Sequence, residues 1–208
     1  MRTTKSPLLD ELYGVELSNQ VFHNLESLDS DLNKEVQEIA YEHYWAREGL
    51  SIREKSLITV SSLISLGREK QIKPHLIGFL NTGGTVDDIL NIIIFFNTRL
   101  DKKLIRIVTN IVEDILKERS MDVLLTADLI DNSKFIQNKD ICLADIASCA
   151  ALGVHEKTKT SIVDYLDKYN DNVEVKNLLI HLIPYCGFPV AINGFTALKD
   201  ALATNGCK

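Results

Sequence analysis

The sequence predicts an all-α fold, and three observations carry that prediction. Apolar residues recur at helical spacing through nearly all of the 208 residues. Alternating strand-like runs are scarce, and only four prolines interrupt the chain. Helix ends are also written in side-chain chemistry, with two capping-box patterns and a glycine stop.

The elements follow in order. The opening "MRTTKSPLLDELYG" has no apolar core of signal-peptide length. In "LNKEVQEIAYEHYWARE" the apolar positions 32, 36, 39, 40 and 44 predict one helical face, with Trp45 as a packing residue. Ser51-x-x-Glu54 lets each side chain satisfy the other's free backbone amide, and it opens "IREKSLITVSSLISLG". That run should stop at Gly67, where a left-handed residue costs little. Pro74 places His75 at the start of the next helix. Thr85-x-x-Asp88, after "NTGG", starts "VDDILNIIIFFNTRL", and "LDKKLIR" reads as a solvated helix face. Near the end, "HLIPYCGFPVAINGF" sets His181, Tyr185 and Cys186 against a break made by Gly187 and Pro189.

Composition bounds the function. With 45% hydrophobic and 25% charged residues the chain reads as an ordinary globular protein. A net charge of -6 argues against nucleic-acid and anionic-membrane partners, because nothing repays the repulsion from phosphate. The longest fully apolar run, "IIIFF", is far too short to cross a bilayer. Cys142, Cys149, Cys186 and Cys207 show no Cys-x-x-Cys spacing, so reduced thiols in a cytoplasmic protein are expected. Cys142 and Cys149, seven apart on one helix, read as core.

The chain also repeats itself. At an offset of 86 residues "SLITVSSLISLG" (56–67) falls on "CLADIASCAALG" (142–153). Leu57 meets Leu143, Ser62 meets Ser148, Leu66-Gly67 meets Leu152-Gly153, and Asn91 meets Asn177, with no gap over about sixty residues. A tandem duplication follows, with a first unit and N-terminal extension over 1–125 and a second, diverged unit over 126–208.

"YWAREGLSIREKSLITVSSLISLGREKQIKPHLIGFLNTGGTVDDILNIII" resembles the carboxymuconolactone decarboxylase family, and "LLIHLIPYCGFPVAINGFTALKDAL" resembles that family's ending. The resemblance covers about 40–120 and 139–204. It implies two tandem helical units forming a bundle, ring-like self-association and hence a homotrimer of the duplicated chain. The family's alkylhydroperoxidase D-like branch uses a Glu, a Cys-x-x-Cys and a His. Here Ser56, Arg68 and Gln71 replace the first three, and only His75 matches. The second half has Cys142, Val154, Lys157 and Ser161 at those places, so dithiol peroxidase chemistry stays only as an alternative, beside a non-catalytic ligand-binding oligomer.

The decarboxylase branch fits better. It implies a lyase acting on a small carboxylated lactone or related acid without metal or organic cofactor, needing a general acid and a donor for the developing carbanion. The candidates are His75 as proton donor near its ordinary pKa of about 6.5, His181 and Tyr185 as stabilisers, and Cys186 beside them. Arg47 or Arg68 would bind a substrate carboxylate in bidentate fashion. Each half keeps what the other lacks. The first has Arg99, Leu100 and Asp101 where the second has Tyr185, Cys186 and Gly187, and the second has Ser161 for His75. One composite site per chain is therefore expected.

Overall fold

A computed structural model describes residues 4–121, 125 and 127–205. Cys207 lies outside the described residues. All regular structure among them is helical: α1 (Pro7–Tyr13), α2 (Val15–Leu28), α3 (Ser30–Glu35), a π-helical stretch (Val36–Trp45), α4 (Ile52–Ser65), α5 (Glu69–Asn81), α6 (Val86–Asn97), α7 (Lys102–Glu118), α8 (Ala127–Asn132), α9 (Lys139–Ala151), α10 (His155–Tyr169), α11 (Asn172–His181) and α12 (Ile183–Asn205).

Local chemistry explains the boundaries. Both capping boxes form: Ser51 accepts from the Glu54 amide and Thr85 from the Asp88 amide, and each acid reaches back to the cap amide. Gly67 and Gly153 end α4 and α9 at φ 63° and 69°, a left-handed conformation that an L side chain resists.

The core is built on α4 packed against α9. From Lys55 to Ser65 every residue of α4 is buried, and α9 is buried from Ile141 to Ala151 except at Asp145. Helices apolar or small-polar on all sides can only sit at a centre. Most of the serines among them are partnered: Ser62 donates to the Thr59 carbonyl at 2.9 Å, and Ser65 donates to Ser148 Oγ at 2.7 Å across the interface, whereas the Ser61 hydroxyl is buried without a hydrogen-bond partner. Such small side chains let the two helices approach closely.

Two ionic clusters flank that interface in matching positions. Arg53 donates to both oxygens of Asp140 (3.1 and 2.6 Å) and to Asp88 (2.8 Å). Lys139 donates to Glu174 (2.5 Å) and Glu54 (2.9 Å). Each cation thus pairs with one acid of its own half and one of the other. Arg53 and Lys139, Glu54 and Asp140, and Asp88 and Glu174 are all 86 residues apart. The starts of α5 and α10 (Glu69, His155) and of α6 and α11 (Val86, Asn172) keep the same offset.

Two local expectations are corrected. The face drawn through 32, 36, 39, 40 and 44 holds only in part: Tyr44 is buried and Val36 and Ala40 are half-buried, but Leu32 and Ile39 are exposed, while Gln37, Tyr41 and Trp45, off that face, are buried. The cause is the π-helical turn, closed by the Ala46 amide on the Tyr41 carbonyl at 3.2 Å. An i→i+5 ladder turns through more residues than the 3.6 of an α-helix, so the buried positions drift. Nor does Pro74 open a helix. It lies inside α5, which begins at Glu69, so His75 sits mid-helix and buried.

Candidate active site

His75 of α5 and Tyr185 near the start of α12 meet with ring centroids 5.4 Å apart, edge to face. The first comes from the first half of the chain and the second from its end. Three other segments converge on them. Tyr13, from α1, places its hydroxyl 3.2 Å from His75 Nδ1 and 3.2 Å from the Tyr41 hydroxyl. Trp45 donates its indole N–H to the Tyr185 oxygen at 2.6 Å. His181 Nε2 lies 3.0 Å from Thr59 Oγ1, and its ring stands 4.9 Å from Trp45 and 5.9 Å from Tyr185.

The helix break explains how one short segment presents these groups. Gly187 takes φ 80° and ψ 165° inside α12, so the chain turns there and Pro189 restarts the helix. The preceding turn, closed by the Tyr185 and Cys186 amides on the Leu182 carbonyl, aims Tyr185 at His75.

Burial makes this cluster neutral. It pushes His75 down to about 4, so its imidazole is uncharged at neutral pH. The expectation of a proton donor titrating near 6.5 is changed accordingly. His75 can donate only as a neutral N–H. His181 is pushed down to about 3 by burial, then by the Lys55 charge, while the Lys55 carbonyl opposes the shift. Tyr13 and Tyr185 are raised by burial, and Tyr41 to about 12 by the same cause. The aromatic cluster therefore offers hydrogen-bond donors and carries no charge of its own at neutral pH.

A pocket of about 480 Å³ opens onto His75, Tyr185, Tyr13 and Tyr41. Its walls are largely apolar (Leu17, Val21, Leu25, Val36, Ala40, Ile77), and Lys70 and Lys73 stand among the lining residues. The remaining sequence candidates sit elsewhere. His181 lies behind Tyr185, fully buried, against a small void of about 10 Å³ that it shares with Arg47, Lys55 and Asn177. Arg47 is exposed, and its carbonyl, like that of Trp45, accepts from the buried Lys55 ammonium. Arg68 is exposed at the head of α5 and does not line the pocket. Cys186 is half-buried against the main core, away from the pocket.

The corresponding place 86 residues on is a second cleft of about 470 Å³, lined by Arg99, Asp145, Cys149, Lys157, Ser161 and Asp164 among others. Ser161 donates to Asp145 at 2.9 Å, and Arg99 pairs with Asp145 at 3.4 Å while lying 3.9 Å over the Phe95 ring.

Residues 31–109 match the carboxymuconolactone decarboxylase family. A 4-carboxymuconolactone decarboxylase of Acinetobacter baylyi (strain ATCC 33305 / BD413 / ADP1) is 31% identical over 84 residues, which cover 40% of this chain and 63% of that protein. Through that segment the chain is similar to the carboxymuconolactone decarboxylase family. The chain thus spans less than two thirds of the length of the relative it matches.

Of the residues in the aromatic cluster, Tyr41, Trp45 and His75 fall inside the segment matched to the carboxymuconolactone decarboxylase family, whereas Tyr13 and Tyr185 fall outside it. Sequence reasoning missed Tyr13 and Tyr41 and took Trp45 as packing alone. A signal existed for Tyr41 and Trp45, since "YEHYW" concentrates aromatics on a turn that must pack. Nothing in the sequence linked Tyr13 to His75.

Proposed function

We propose that this protein is a cofactor-free lyase that decarboxylates a small carboxylated lactone or related acid in the His75–Tyr185 pocket. The observation that carries this reading is the meeting of two neutral donors, one from each half, in the lining of one pocket. In the proposed step the C–CO₂⁻ bond breaks heterolytically and CO₂ leaves. The electron pair stays on the substrate as a dienolate, and a proton from His75 or Tyr185 then goes to carbon, with solvent reprotonating the donor. A neutral pocket favours this direction, because a localised carboxylate loses hydration there while a delocalised enolate needs less of it.

The other residues take supporting roles. Tyr185 acts as oxyanion donor, positioned by the Trp45 N–H and by Thr59, with His181 holding Thr59 from behind. Lys70, exposed at the pocket, attracts the substrate carboxylate in place of Arg47 or Arg68, neither of which lines it. Cys186 is structural.

The peroxidase alternative finds less support. Cys142, Cys149 and Cys186 are free thiols whose pKa values burial raises, the last two to about 11. A peroxide-reducing cysteine needs a thiolate near neutral pH.

We further propose that the chain is a tandem duplication with units at 1–125 and 126–208, a reading supported by the offset helix starts and the two interlocked ionic clusters. Self-association as a homotrimer of a cytoplasmic protein accompanies it. Phe188, Ile192 and Phe195 leave an apolar stripe exposed on α12 that a second copy would cover. Among the described residues no helix is long and apolar enough to cross a membrane.

The test is turnover of 4-carboxymuconolactone and related lactone acids, followed by loss of their absorbance. Tyr185→Phe should lower kcat a hundredfold or more, since removing one oxyanion donor raises the barrier by about 2.7–4 kcal/mol. Conversion of none of these acids by the native protein would refute the lyase reading.

A further inference from the structure

His181 is a buried titratable group that the pocket chemistry leaves half used. It is 2% exposed, and its Nδ1 is buried with no hydrogen-bond partner. Its Nε2 lies 3.0 Å from Thr59 Oγ1. The Thr59 hydroxyl also reaches the Tyr185 oxygen, which accepts the Trp45 N–H at 2.6 Å. A hydrogen-bond chain thus runs from His181 through Thr59 to Tyr185. Its direction decides whether Tyr185 gives its hydrogen to Thr59 or keeps it for a ligand.

Lys55 bears on that direction. It lies one turn before Thr59 on α4 and lines, with His181, the void of about 10 Å³. The carbonyls of Trp45 and Arg47 take two of its ammonium hydrogens and leave a third. The void has the size of about one water, with the Asn177 amide as a further partner. Tyr44, Leu50 and the exposed Arg47 and Glu48, of opposite charge, complete the lining. Burial, then the Lys55 charge, pushes His181 down to about 3, so the neutral ring carries a single N–H. On Nδ1 that N–H would be set beside an ammonium, donor against donor. On Nε2 it donates to Thr59, and the Nδ1 lone pair is left for the cation. Thr59 then spends its own hydrogen on Tyr185. The Tyr185 oxygen receives from Trp45 and Thr59, so neither partner consumes the tyrosine's hydrogen.

The counterpart 86 residues away carries none of the four. Ile141 and Asp145 stand at the places of Lys55 and Thr59, and Phe95 and Arg99 at those of His181 and Tyr185. The contacts persist with other chemistry: Arg99 pairs with Asp145 at 3.4 Å and lies 3.9 Å over the Phe95 ring. The positions form one geometric unit, and at the first place alone they carry hydrogen-bonding groups in series.

Resting on the reading of this pocket as a lyase site, we propose that Lys55 and His181 are positioning residues that set the direction of this chain. Lys55, through one water in the void, holds His181 with its hydrogen on Nε2. That N–H donates to Thr59, Thr59 donates to Tyr185, and Tyr185 presents its own hydrogen to the developing oxyanion. The chain orients and transfers no proton.

The experiment records the histidine-nitrogen NMR spectrum of the whole protein, isotopically labelled at histidine, at neutral pH. His181 is assigned among the five histidines by its absence from the His181→Gln spectrum. A protonated Nε2 and a bare Nδ1 are expected in the native protein, and Lys55→Met should move hydrogen onto Nδ1. If Lys55→Met does not melt cooperatively, the native spectrum decides alone. On a converted lactone acid, Thr59→Val should lower kcat about tenfold or more with KM held within about twofold. Placed in Tyr185→Phe, the same change should cost less than about twofold, because Thr59 acts through that hydroxyl. His181→Gln, whose amide N–H can stand where Nε2–H does, should keep a kcat about fivefold or more above that of His181→Leu. Hydrogen on Nδ1 in the native protein, an unchanged kcat in folded Thr59→Val, or additive losses in the double variant would each overturn the proposal. The spectrum needs no turnover. Nε2–H in a protein that converts no lactone acid would refute the lyase reading and uphold the chain's direction, and Nδ1–H in a converting protein would do the reverse.

Discussion

The pocket at His75 and the cleft at Ser161 occupy corresponding places 86 residues apart and enclose similar volumes, about 480 and 470 Å³. Their chemistry is opposite. At the first, burial keeps His75 and the three tyrosines uncharged, and the charged lining residues are Lys70 and Lys73, both cations. At the second, Arg99 and Asp145 neutralise each other, and Ser161 spends its hydroxyl on Asp145. The difference lies in what covers each place. The first is roofed by α1, α2 and the π-helical stretch, which bring Tyr13, Tyr41 and Trp45. On this account the same helical frame becomes reactive where an added layer excludes charge, and inert where ions pair across it.

The largest effect that separates the two is acid sensitivity. His75 falls from 6.5 to about 4 on folding and His181 to about 3, so between pH 6.5 and 4 the unfolded chain binds more protons than the folded one. Stability present above pH 6.5 must then be lost as pH falls toward 4. At ~1.4 kcal/mol per pH unit, His75 alone accounts for roughly 3 kcal/mol. Denaturant midpoints between pH 7.5 and 4 read this directly. His75→Gln should reduce the slope, and Ser161→Ala should leave it unchanged. Stability that stays flat over that range would show that the first pocket is not closed to charge.

A smaller contrast concerns the two residues at the equivalent junctions. Tyr185→Phe removes the acceptor of the buried Trp45 N–H and should destabilise by about 1–3 kcal/mol. Arg99→Leu breaks an ion pair whose guanidinium is 41% exposed, so under about 1 kcal/mol is expected. Equal losses in thermal or chemical unfolding would mean that the two junctions are equally solvated.

The smallest effect is expected from oxidation. Because the three described cysteines are held as thiols, millimolar peroxide should cost no more than one thiol per chain in a titration, and no reductant-driven peroxide turnover should appear. Loss of two thiols with turnover would bring the peroxidase reading back.

Much of this was legible in the sequence because it depends on local chemistry. Capping boxes at Ser51 and Thr85 and the left-handed Gly67 need only neighbouring residues, and all three form. The juxtaposition of His75 with Tyr185 followed from matching the halves against each other. What stayed hidden depends on geometry that periodicity does not encode. Within the π-helical stretch Ile39 is exposed while Gln37, Tyr41 and Trp45 are buried, and Trp45 bonds to Tyr185. A helix that tolerates Pro74 in its interior buried His75 and so changed its protonation. Tyr13 reaches His75 only after α1 docks over Gly78, a contact that no motif announces.

The central claim is that chemistry resides at the composite pocket and not at its counterpart. Parallel measurement of kcat/KM for His75→Gln and Ser161→Ala, on the lactone acid that the native protein converts best, tests it most directly. The account predicts a loss of a hundredfold or more for His75→Gln with the helical fold retained, and a change of less than twofold for Ser161→Ala. Full activity in His75→Gln, or an equal loss in both variants, would contradict it.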